Sequence, residues 1–500
     1  MSKAQVAGTL DSSFNNIGVN VTVFPLPAHE SHATSVITLN DQRIVVCGFT
    51  DIVQSDIALA RYLPDGQLDS TFGDSGILVI PTFTTYTRAN DLAVLPNGNI
   101  IVVGTIYDAG NVRKNCLVMA IDSTGSIDSS FGTFGYRVFN FSSDNDYFSA
   151  VETSGEDEIF IVGNSVSQLG GFVLKLTDKG SIDSTFGTNG IYIDDYCFLY
   201  DLKTLQDHKI LVCGDDGDYL LSRITSSGTI DSSFGNNGYA ERRLWAKNSV
   251  ALSIDTLSDG RIIIGASYHD SEVLLARFSK NGFLDDELDN DGIKIVHECS
   301  TIWNIKVTAH PSGKMILTGT AKDTGNFVST DQILISLNND GSLDSSFGVN
   351  GITRNDFNNG YNVASSACLQ AGGKIIVAGS APDSSYVCDQ YFCVSRFAPP
   401  EIVSAVSNLK NESRITFFPN PASDFILINF QLKENSRISF NLYDRQLKLL
   451  FRTSPQPFEA GDCKFKFSFP PSIRSGLYFM EIRGDNLRES FPIIKVAPGF

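Results

Sequence analysis

Short apolar runs alternate with polar turns along most of the chain, and the runs recur in step. One set comprises RIVVCG (43–48), NIIVVG (99–104), EIFIVG (158–163), KILVCG (209–214), RIIIGA (261–266), KMILTG (314–319) and KIIVAG (374–379). A second includes IALARY (57–62), LLSRI (220–224), LLARF (274–278) and FCVSRF (392–397). One further run precedes the polar turn (SVITL) and another follows a repeated turn (GILVI), so each unit reads as four short strands, A to D. No unit has the 3.6-residue period of a helix.

The repeated turn joins strands C and D. It reads SIDSSFGTFG at 126–135, SIDSTFGTNG at 181–190 and SLDSSFGVNG at 342–351, and its aspartates are Asp11, Asp69, Asp128, Asp183, Asp231, Asp285 and Asp344. Four strands per unit, repeated every 48 to 59 residues, predict an all-β, seven-bladed β-propeller over residues 1–397. The phase predicts how the ring closes. The chain opens on the turn and a D strand, VNVTVF (19–24), and its seventh unit stops at strand C. The N-terminal strand should therefore complete the last blade and remove an unpaired edge.

Each residue of the turn has a structural task. The aspartate can accept hydrogen bonds from nearby backbone N–H groups, the phenylalanine can plug between sheets, and the glycines permit positive φ before strand D. Seven identical ligand groups around a ring would make an odd site, so the turn is read as geometry. These residues resemble the delta-60 repeat family, whose units carry G-x-L-D-x-S/T-F-G-x-x-G followed by a D-G-K-I-x-V-x-G strand. The resemblance covers about residues 8–397 and implies the fold. In the sixth unit, FLDDELDNDG puts Glu287 and Leu288 where Ser/Thr and Phe stand elsewhere, and a looser turn is expected there.

Near residue 398 the repeat stops. APPEIVSAVSNLKNES reads as a linker, assigned to 398–413, and the charge changes sign: residues 402–500 carry +4 and residues 1–401 carry −22 of the net −18. Alternating runs such as DFILINFQL and GLYFMEIRG predict a small Ig-like β-sandwich over 414–500. This tail resembles the type A C-terminal sorting domain of type IX secretion in Bacteroidetes. The matching residues are Pro419, Asn420 and Pro421 of FFPNPASDFILI, Gly476 and Tyr478 of GLYFMEIRG, and Lys495 near the end. The resemblance implies type IX machinery as a partner and a secreted or outer-membrane-surface location. The chain departs from the pattern in continuing with APGF. Its opening, MSKAQVAGTLDSSF, lacks the apolar stretch of a signal peptide, so a start downstream of a removed signal, or a misassigned start, is expected; a genuine start would mean a cytoplasmic protein.

Composition narrows the function classes. The net charge of −18 and the lack of a basic stretch exclude nucleic acid as the expected partner. No run of 18 apolar residues exists, so no transmembrane helix is expected. The nine cysteines include no CxxC pair, and Cys47 and Cys213 stand where Val103 stands in another copy, so they read as small buried hydrophobes rather than a disulfide framework. A monomer is expected.

Comparison among the seven copies points to a binding face. The A–B and C–D turns barely vary, whereas the D–A connections (PLPAHESHA, PTFTTYTRAND, RNDFNNGYN and others) and the B–C connections are individual. D–A and B–C connections emerge on one face of a propeller, and binding residues concentrate on variable segments held by a rigid scaffold. That face offers Tyr86, Tyr147, Tyr196, Tyr200, Trp245, Trp303 and Tyr361, with Asp144, Asp146, Asp194, Asp195, Asp201 and Asp356. Aromatic rings amid carboxylates suit sugars or peptide strands. The competing reading is that the rings only cover strand ends.

Sharper chemistry is sparse. There is no GxSxG, HExxH or Walker-type loop. AHESHA supplies His29, Glu30 and His32 and VHEC supplies His297 and Glu298, so a metal bridging blades 1 and 6 is conceivable, against solvated loop histidines. Glu287, Asp289, Asp291 and Glu298 approximate the spacing of a calcium loop, although the repeat places a strand, not a helix, after it. No other cofactor is indicated. Two function classes remain: a non-catalytic propeller that binds glycan or protein, or a propeller enzyme acting on extracellular glycans, a lyase or hydrolase, through acids such as Asp194, Asp195 or Asp356. Fold alone does not decide between them.

Overall fold

The computed structural model describes residues 6–400 and 416–495, apart from 26–29, 52–54, 82–85, 109, 111–112, 168–169, 195–196, 216–220, 241–249, 269–271, 298–301, 323–328, 358–359, 384–385, 419–424, 433, 444–448, 471–472, 474–475 and 485–487. The chain divides into two compact units, Met1–Glu401 and Ile402–Phe500. Among the described residues the regular structure is strand throughout, save one 3-10 turn at Ala371–Gly373.

In the first unit the described residues form seven antiparallel sheets; six follow chain order from the inner strand outward, and the seventh does so for three strands before taking the N-terminal strand as its outermost. The inner strands are Glu30–Thr38, Thr87–Val94, Asp146–Thr153, Phe198–Thr204, Val250–Thr256, Ile302–Ala309 and Val363–Gln370. Each packs against the next, and the seventh packs against the first, so the sheets close into a ring. Six sheets have four strands. In the fourth, the outermost position is held by Tyr239, bridged to Ser222, with 241–249 outside the described residues.

The seventh sheet shows the closure expected from the repeat phase. Val19–Thr22 pairs antiparallel with Tyr386–Phe397, in the register Val19 to Ser395 through Thr22 to Phe392. The strand is also tied to the first sheet, because the Thr22 and Tyr62 hydroxyls lie 2.8 Å apart and Asn20 Nδ2 donates to the Gly66 carbonyl at 2.8 Å. The first and seventh sheets thus meet in one hydrophobic cluster that includes Phe14, Val36, Tyr62, Ile376 and Val394.

Every inner strand carries a β-bulge at the same level, between Ala33 and Ser35, Ala89 and Asp91, Phe148 and Ala150, Leu199 and Asp201, Ala251 and Ser253, Trp303 and Lys306, and Ala364 and Ser366. The bulge explains the glycine that stands within most B strands, opposite the bulged residues. A Cβ on Gly48 would lie 1.9 Å from the His32 carbonyl oxygen, and one on Gly379 would lie 1.8 Å from that of Val363. The bulged backbone presses into the space that a side chain would need.

The second unit holds two sheets. Thr416–Phe418, Phe425–Leu432 and Gly461–Ser468 form one; Leu449–Arg452, Ser436–Tyr443, Gly476–Arg483 and Arg488–Lys495 form the other, with Gln456–Phe458 also paired to Ser436–Tyr443. Their inner faces share one core, in which Ile426, Ile428 and Phe430 meet Phe440, Leu442, Met480 and Ile482. The period-two alternation of the sequence is what gives each sheet one apolar face for this sandwich.

Candidate functional site

The repeated turn forms one standardised end of the first unit. In the Asp69 copy, Oδ1 accepts from the Thr71 N–H at 3.1 Å and hydroxyl at 2.7 Å, while Oδ2 receives Arg61 Nε at 2.8 Å and Arg43 Nη1 at 3.1 Å. Burial alone would raise the carboxyl, but the Thr71 and Arg43 hydrogen bonds and the charge of Arg61 hold it at about 2. Asp231 repeats the set with Ser233, Arg223 and Lys209, and Asp11 does so with Ser13, Arg396 and Lys374. Asp285 receives Arg277 at 2.7 Å and Arg261 at 3.0 Å. The strand C cation reaches on into the following unit: Arg61 Nη1 donates to the Ser123 carbonyl at 2.5 Å and Arg223 Nη1 to the Lys280 carbonyl at 2.9 Å.

The aromatic plug does lie between sheets. Phe14, Phe72, Phe131, Phe186, Phe234 and Phe347 are fully buried, and the φ +89° glycine of the next turn, Gly66, sits where a Cβ would strike the Phe14 ring at 2.8 Å. The sixth turn is not looser in its anchor. Leu288 is as buried as the phenylalanines, and the Asp285 carboxylate still accepts from the backbone N–H two residues on, that of Glu287, at 3.3 Å. Leucine is apolar and large enough to fill the same gap.

Between the inner strands runs a channel whose cavity measures about 940 Å³ and opens toward the A–B turns. All seven inner strands line it. Just past the bulge the equivalent positions are Ser35, Asp91, Ala150, Asp201, Ser253, Lys306 and Ser366. An inner strand has no neighbour on its channel side, and side chains of the preceding sheet cover its N–H groups. Asp91 accepts from Val151 N–H at 2.9 Å, Asp201 from Ile254 N–H at 3.1 Å, Ser253 from Val307 N–H at 3.0 Å, and Glu152 from Thr204 N–H at 2.6 Å.

Two lysines bind this wall together. Lys203 lies 3.0 Å from Glu152 and 3.4 Å from Asp255, and Lys306 reaches past the fifth sheet to Asp201 at 2.8 Å. Glu152 and the other carboxylates hold the Lys203 ammonium above its ordinary range; for Lys306, Asp201 and Asp91 outweigh desolvation to the same end. Asp91 behaves in the opposite way. Desolvation pushes its carboxyl up to about 6, although the charge of Lys306 and the Ser35 and Val151 hydrogen bonds pull downward. The sequence reading missed this wall, apart from naming Asp201 as a loop acid. Its signal is a polar or charged residue in the middle of six of the seven A strands, where the middle of most B strands is apolar.

At the other end of the channel, before the bulge, the equivalent inner-strand positions are His32, Arg88, Tyr147, Phe198, Val250, Trp303 and Val363. All seven are at least partly exposed and no two adjacent strands present the same residue. This rim is where most of the aromatic candidates fall. Tyr147 and Tyr200 are half-buried on neighbouring inner strands; desolvation raises both phenols, and the charge of Tyr147 adds to the Tyr200 shift. Trp303 is 38 % exposed and stands on strand Ile302–Ala309, not in the preceding loop as expected, because the inner strand begins earlier than the apolar run. Tyr361 is exposed and bridged to Thr330, and Tyr86 meets Tyr107 edge-on at 5.9 Å. The aromatic residues are spread over several sheets rather than gathered in one sector. Trp245, Tyr196 and Asp195 lie outside the described residues.

The acids of this end are largely committed. Asp146 is buried and caps the preceding bend, accepting from Phe141 N–H at 2.7 Å and Ser142 N–H at 2.9 Å. Asp194 is buried and ends strand Ile191–Asp194, and exposed Asp356 accepts from Asn362 Nδ2 at 3.1 Å. The calcium-loop set does not converge among the described residues. Asp291 accepts from Ile293 N–H at 2.9 Å, Asp289 faces Lys294 at 3.3 Å, Glu287 faces Arg261 at 3.4 Å, and strand Ile293–Val296 follows directly; Glu298 is outside the described residues. His29 is outside them too. Glu30 and His32 gather instead with Asp51, within the first sheet. The seven described cysteines are free and six are buried; burial pushes up the thiols of Cys47, Cys116, Cys213, Cys368, Cys393 and Cys463, those of Cys368 and Cys393 to about 12.

In the second unit, Gly476 and Lys495 are register partners that open and close one hairpin, and Tyr478 packs against the sandwich core. Lys495 Nζ lies 5.7 Å from the Phe469 ring centroid. Pro419, Asn420 and Pro421 lie outside the described residues. None of the described helical segments is long and apolar enough to cross a membrane.

Four segments, 39–72, 205–234, 257–287 and 310–347, match the model of a family described as "Domain of unknown function (DUF5122) beta-propeller". Each match runs from the A–B turn through the C–D turn, so it spans strands B and C with the B–C connection between them and leaves out most of the inner strand and the D–A connection. No curated protein matches the chain. Among solved structures, it is similar to a catalytically inactive virginiamycin B lyase from Staphylococcus aureus with quinupristin, at 10% identity over 75% of this chain and 99% of that one, with a TM-score of 0.44. It is similar also to a protein of unknown function from Dyadobacter fermentans, at 11% identity over 76% and 99%, with a TM-score of 0.39. The first unit is a β-propeller, and four of its repeats match that family's model.

Proposed function

We propose that the protein is a non-catalytic, secreted or cell-surface binding propeller that takes a glycan or protein ligand on the D–A and B–C face. The observation that carries this reading is the contrast between the two ends of the channel. One end is built from seven copies of one turn, six of them holding a carboxylate–cation pair and the Asp128 copy an Asn99 amide instead, while the other presents His32, Arg88, Tyr147, Phe198, Val250, Trp303 and Val363 at equivalent, partly exposed positions. A rigid ring with an individual rim suits recognition, and tyrosine and tryptophan offer flat apolar surface with a polar edge. The second unit serves, in this reading, as a type IX sorting domain, supported by the Gly476–Tyr478 strand and Lys495 on one hairpin.

The test is binding of the full chain to a glycan array and to cell-surface extracts. Trp303→Ala with Tyr361→Ala should lower binding at least about tenfold while leaving the melting temperature within a few degrees, since aromatic residues commonly dominate binding energy and both side chains are exposed. Full binding by the folded double variant would remove the rim from the mechanism. A second reading, a glycan lyase or hydrolase, draws on Asp91, whose raised carboxyl faces the Asp201–Lys306 pair across the channel. Product release from any bound glycan, abolished by Asp91→Asn, would favour it. Export is tested separately, by fusing residues 402–500 to a reporter in a type IX-secreting cell and measuring surface delivery.

A further inference from the structure

Glu30, His32 and Asp51 bring one imidazole nitrogen and two carboxylates to one place, with their ligand atoms all within 4.8 Å of one another. His32 Nε2 lies 3.6 Å from Glu30 Oε2. Donors at zinc-ligand distances of about 2.1 Å around a tetrahedral ion stand about 3.4 Å apart, so this pair is already close to ligating separation, and the Asp51 oxygen, within 4.8 Å of both, needs a shift of at most about 1.4 Å.

Two further observations point to a cation. Glu30 and Asp51 are direct register partners across the first two strands of the sheet. Like charges placed directly opposite each other are destabilising. Their neighbour Arg88 is an incomplete remedy: its Nη2 stands 3.7 Å from Asp51 and its guanidinium lies over the Phe49 ring at 4.2 Å. The imidazole is also pre-oriented. Its ring rests on Phe49 at 5.1 Å, and Nδ1 faces the Ser380 hydroxyl at 3.4 Å, which leaves Nε2 toward the two carboxylates. A partner on the second ring nitrogen is the arrangement that commonly sets a metal-binding histidine. Ser55 Oγ donates to Asp51 Oδ1, so Oδ2 is the oxygen left for a metal. A second group, Glu156, Glu158 and His208, is less suited, because Glu158 is paired with Lys175 at 2.6 Å and the other two are exposed.

We propose that Glu30, His32 and Asp51 bind a first-row divalent metal ion, of which zinc is the best fit to one nitrogen and two oxygen ligands. The site stands at the rim of the channel, on the His32 position of the inner strand, and it does not depend on the glycan or protein reading. The experiment is zinc titration of the full, metal-stripped chain by calorimetry, with melting curves with and without zinc. One equivalent should bind and raise the melting temperature, since a ligand that binds only the folded state stabilises it. His32→Gln and Asp51→Asn should weaken binding at least about tenfold, and Ser380→Ala about tenfold through the freed imidazole. Glu30→Gln removes the like-charge pair, so it should keep or raise the melting temperature of the metal-free chain while losing the zinc-induced rise. His208→Gln should change nothing. Zinc affinity undiminished in folded His32→Gln and Glu30→Gln, or lost only in His208→Gln, would overturn the assignment.

Discussion

Asp69 has its carboxylate wedged between Arg61, 1 % exposed, and Arg43, and the pair could not be spared one member cheaply. Removing an aspartate that merely closes a turn costs on the order of 1 kcal/mol. Removing this one strands a buried guanidinium, which typically costs about 3–5 kcal/mol. Asp69→Ala should therefore fall in the higher range by denaturant unfolding, and Asp69→Ala with Arg61→Met should recover part of the loss. A loss near 1 kcal/mol for the single variant would mean that water reaches Arg61 once the carboxylate is gone. Lys175 and Arg277 stand eight residues before Asp183 and Asp285, as Arg61 does before Asp69, and this spacing was legible in the sequence although the turn motif drew attention away from it.

Among the elements, the strand Val19–Thr22 closes the ring at two levels. It pairs with Tyr386–Phe397, and the turn before it supplies Asp11 to Arg396 and Lys374 and Phe14 to the cluster of the first and seventh sheets. Deleting residues 1–24 should expose the edge of strand Tyr386–Phe397, strand Arg396 without its carboxylate and empty the Phe14 site, so cooperative unfolding should be lost and association should follow. Thermal melting with size-exclusion chromatography reads both. A truncated chain that remains monomeric and melts at the original temperature would contradict the closure.

For the whole molecule, the ion-pair turns and the channel respond to acid with opposite signs. Asp11 and Asp69 are held at about 2 in the folded state, where burial raises them and their hydroxyl, lysine and arginine partners lower them further, and Asp183, Asp285 and Asp344 are lowered as well. Carboxyls depressed on folding contribute stability above their unfolded value near 4, and that contribution is lost as pH falls toward 2. Asp91, raised to about 6 by desolvation, favours the folded state as pH falls from 7 toward 4. Acidification also relieves the self-repulsion of a chain with net charge −18. The melting temperature should accordingly be highest near pH 5 and drop steeply below pH 4, and Asp91→Asn should flatten the rise between pH 7 and pH 5 without moving the acid limb. A melting temperature unchanged at pH 3 would show that the turn carboxylates keep their ordinary affinity for protons.

The fold was written locally. Apolar runs with period-two spacing, glycines at positive φ and an aspartate two residues before a hydroxyl dictate strands and turns through contacts a few residues apart, and their repetition and phase were enough to read a propeller closed by its first strand. The rim and the channel belong to another order of information. Asp201 and Lys306 are 105 residues apart in the chain and 2.8 Å apart in the fold. Glu30, His32 and Asp51 meet because a bulged strand pairs with its neighbour in one register, so no spacing along the chain announces them. Trp303 moved from loop to strand for the same reason, since a bulge lets an inner strand extend beyond the point where alternation stops. Local chemistry set the repeating unit; which of the seven differing side chains face one another was decided only when the ring closed and placed every inner strand around a common axis.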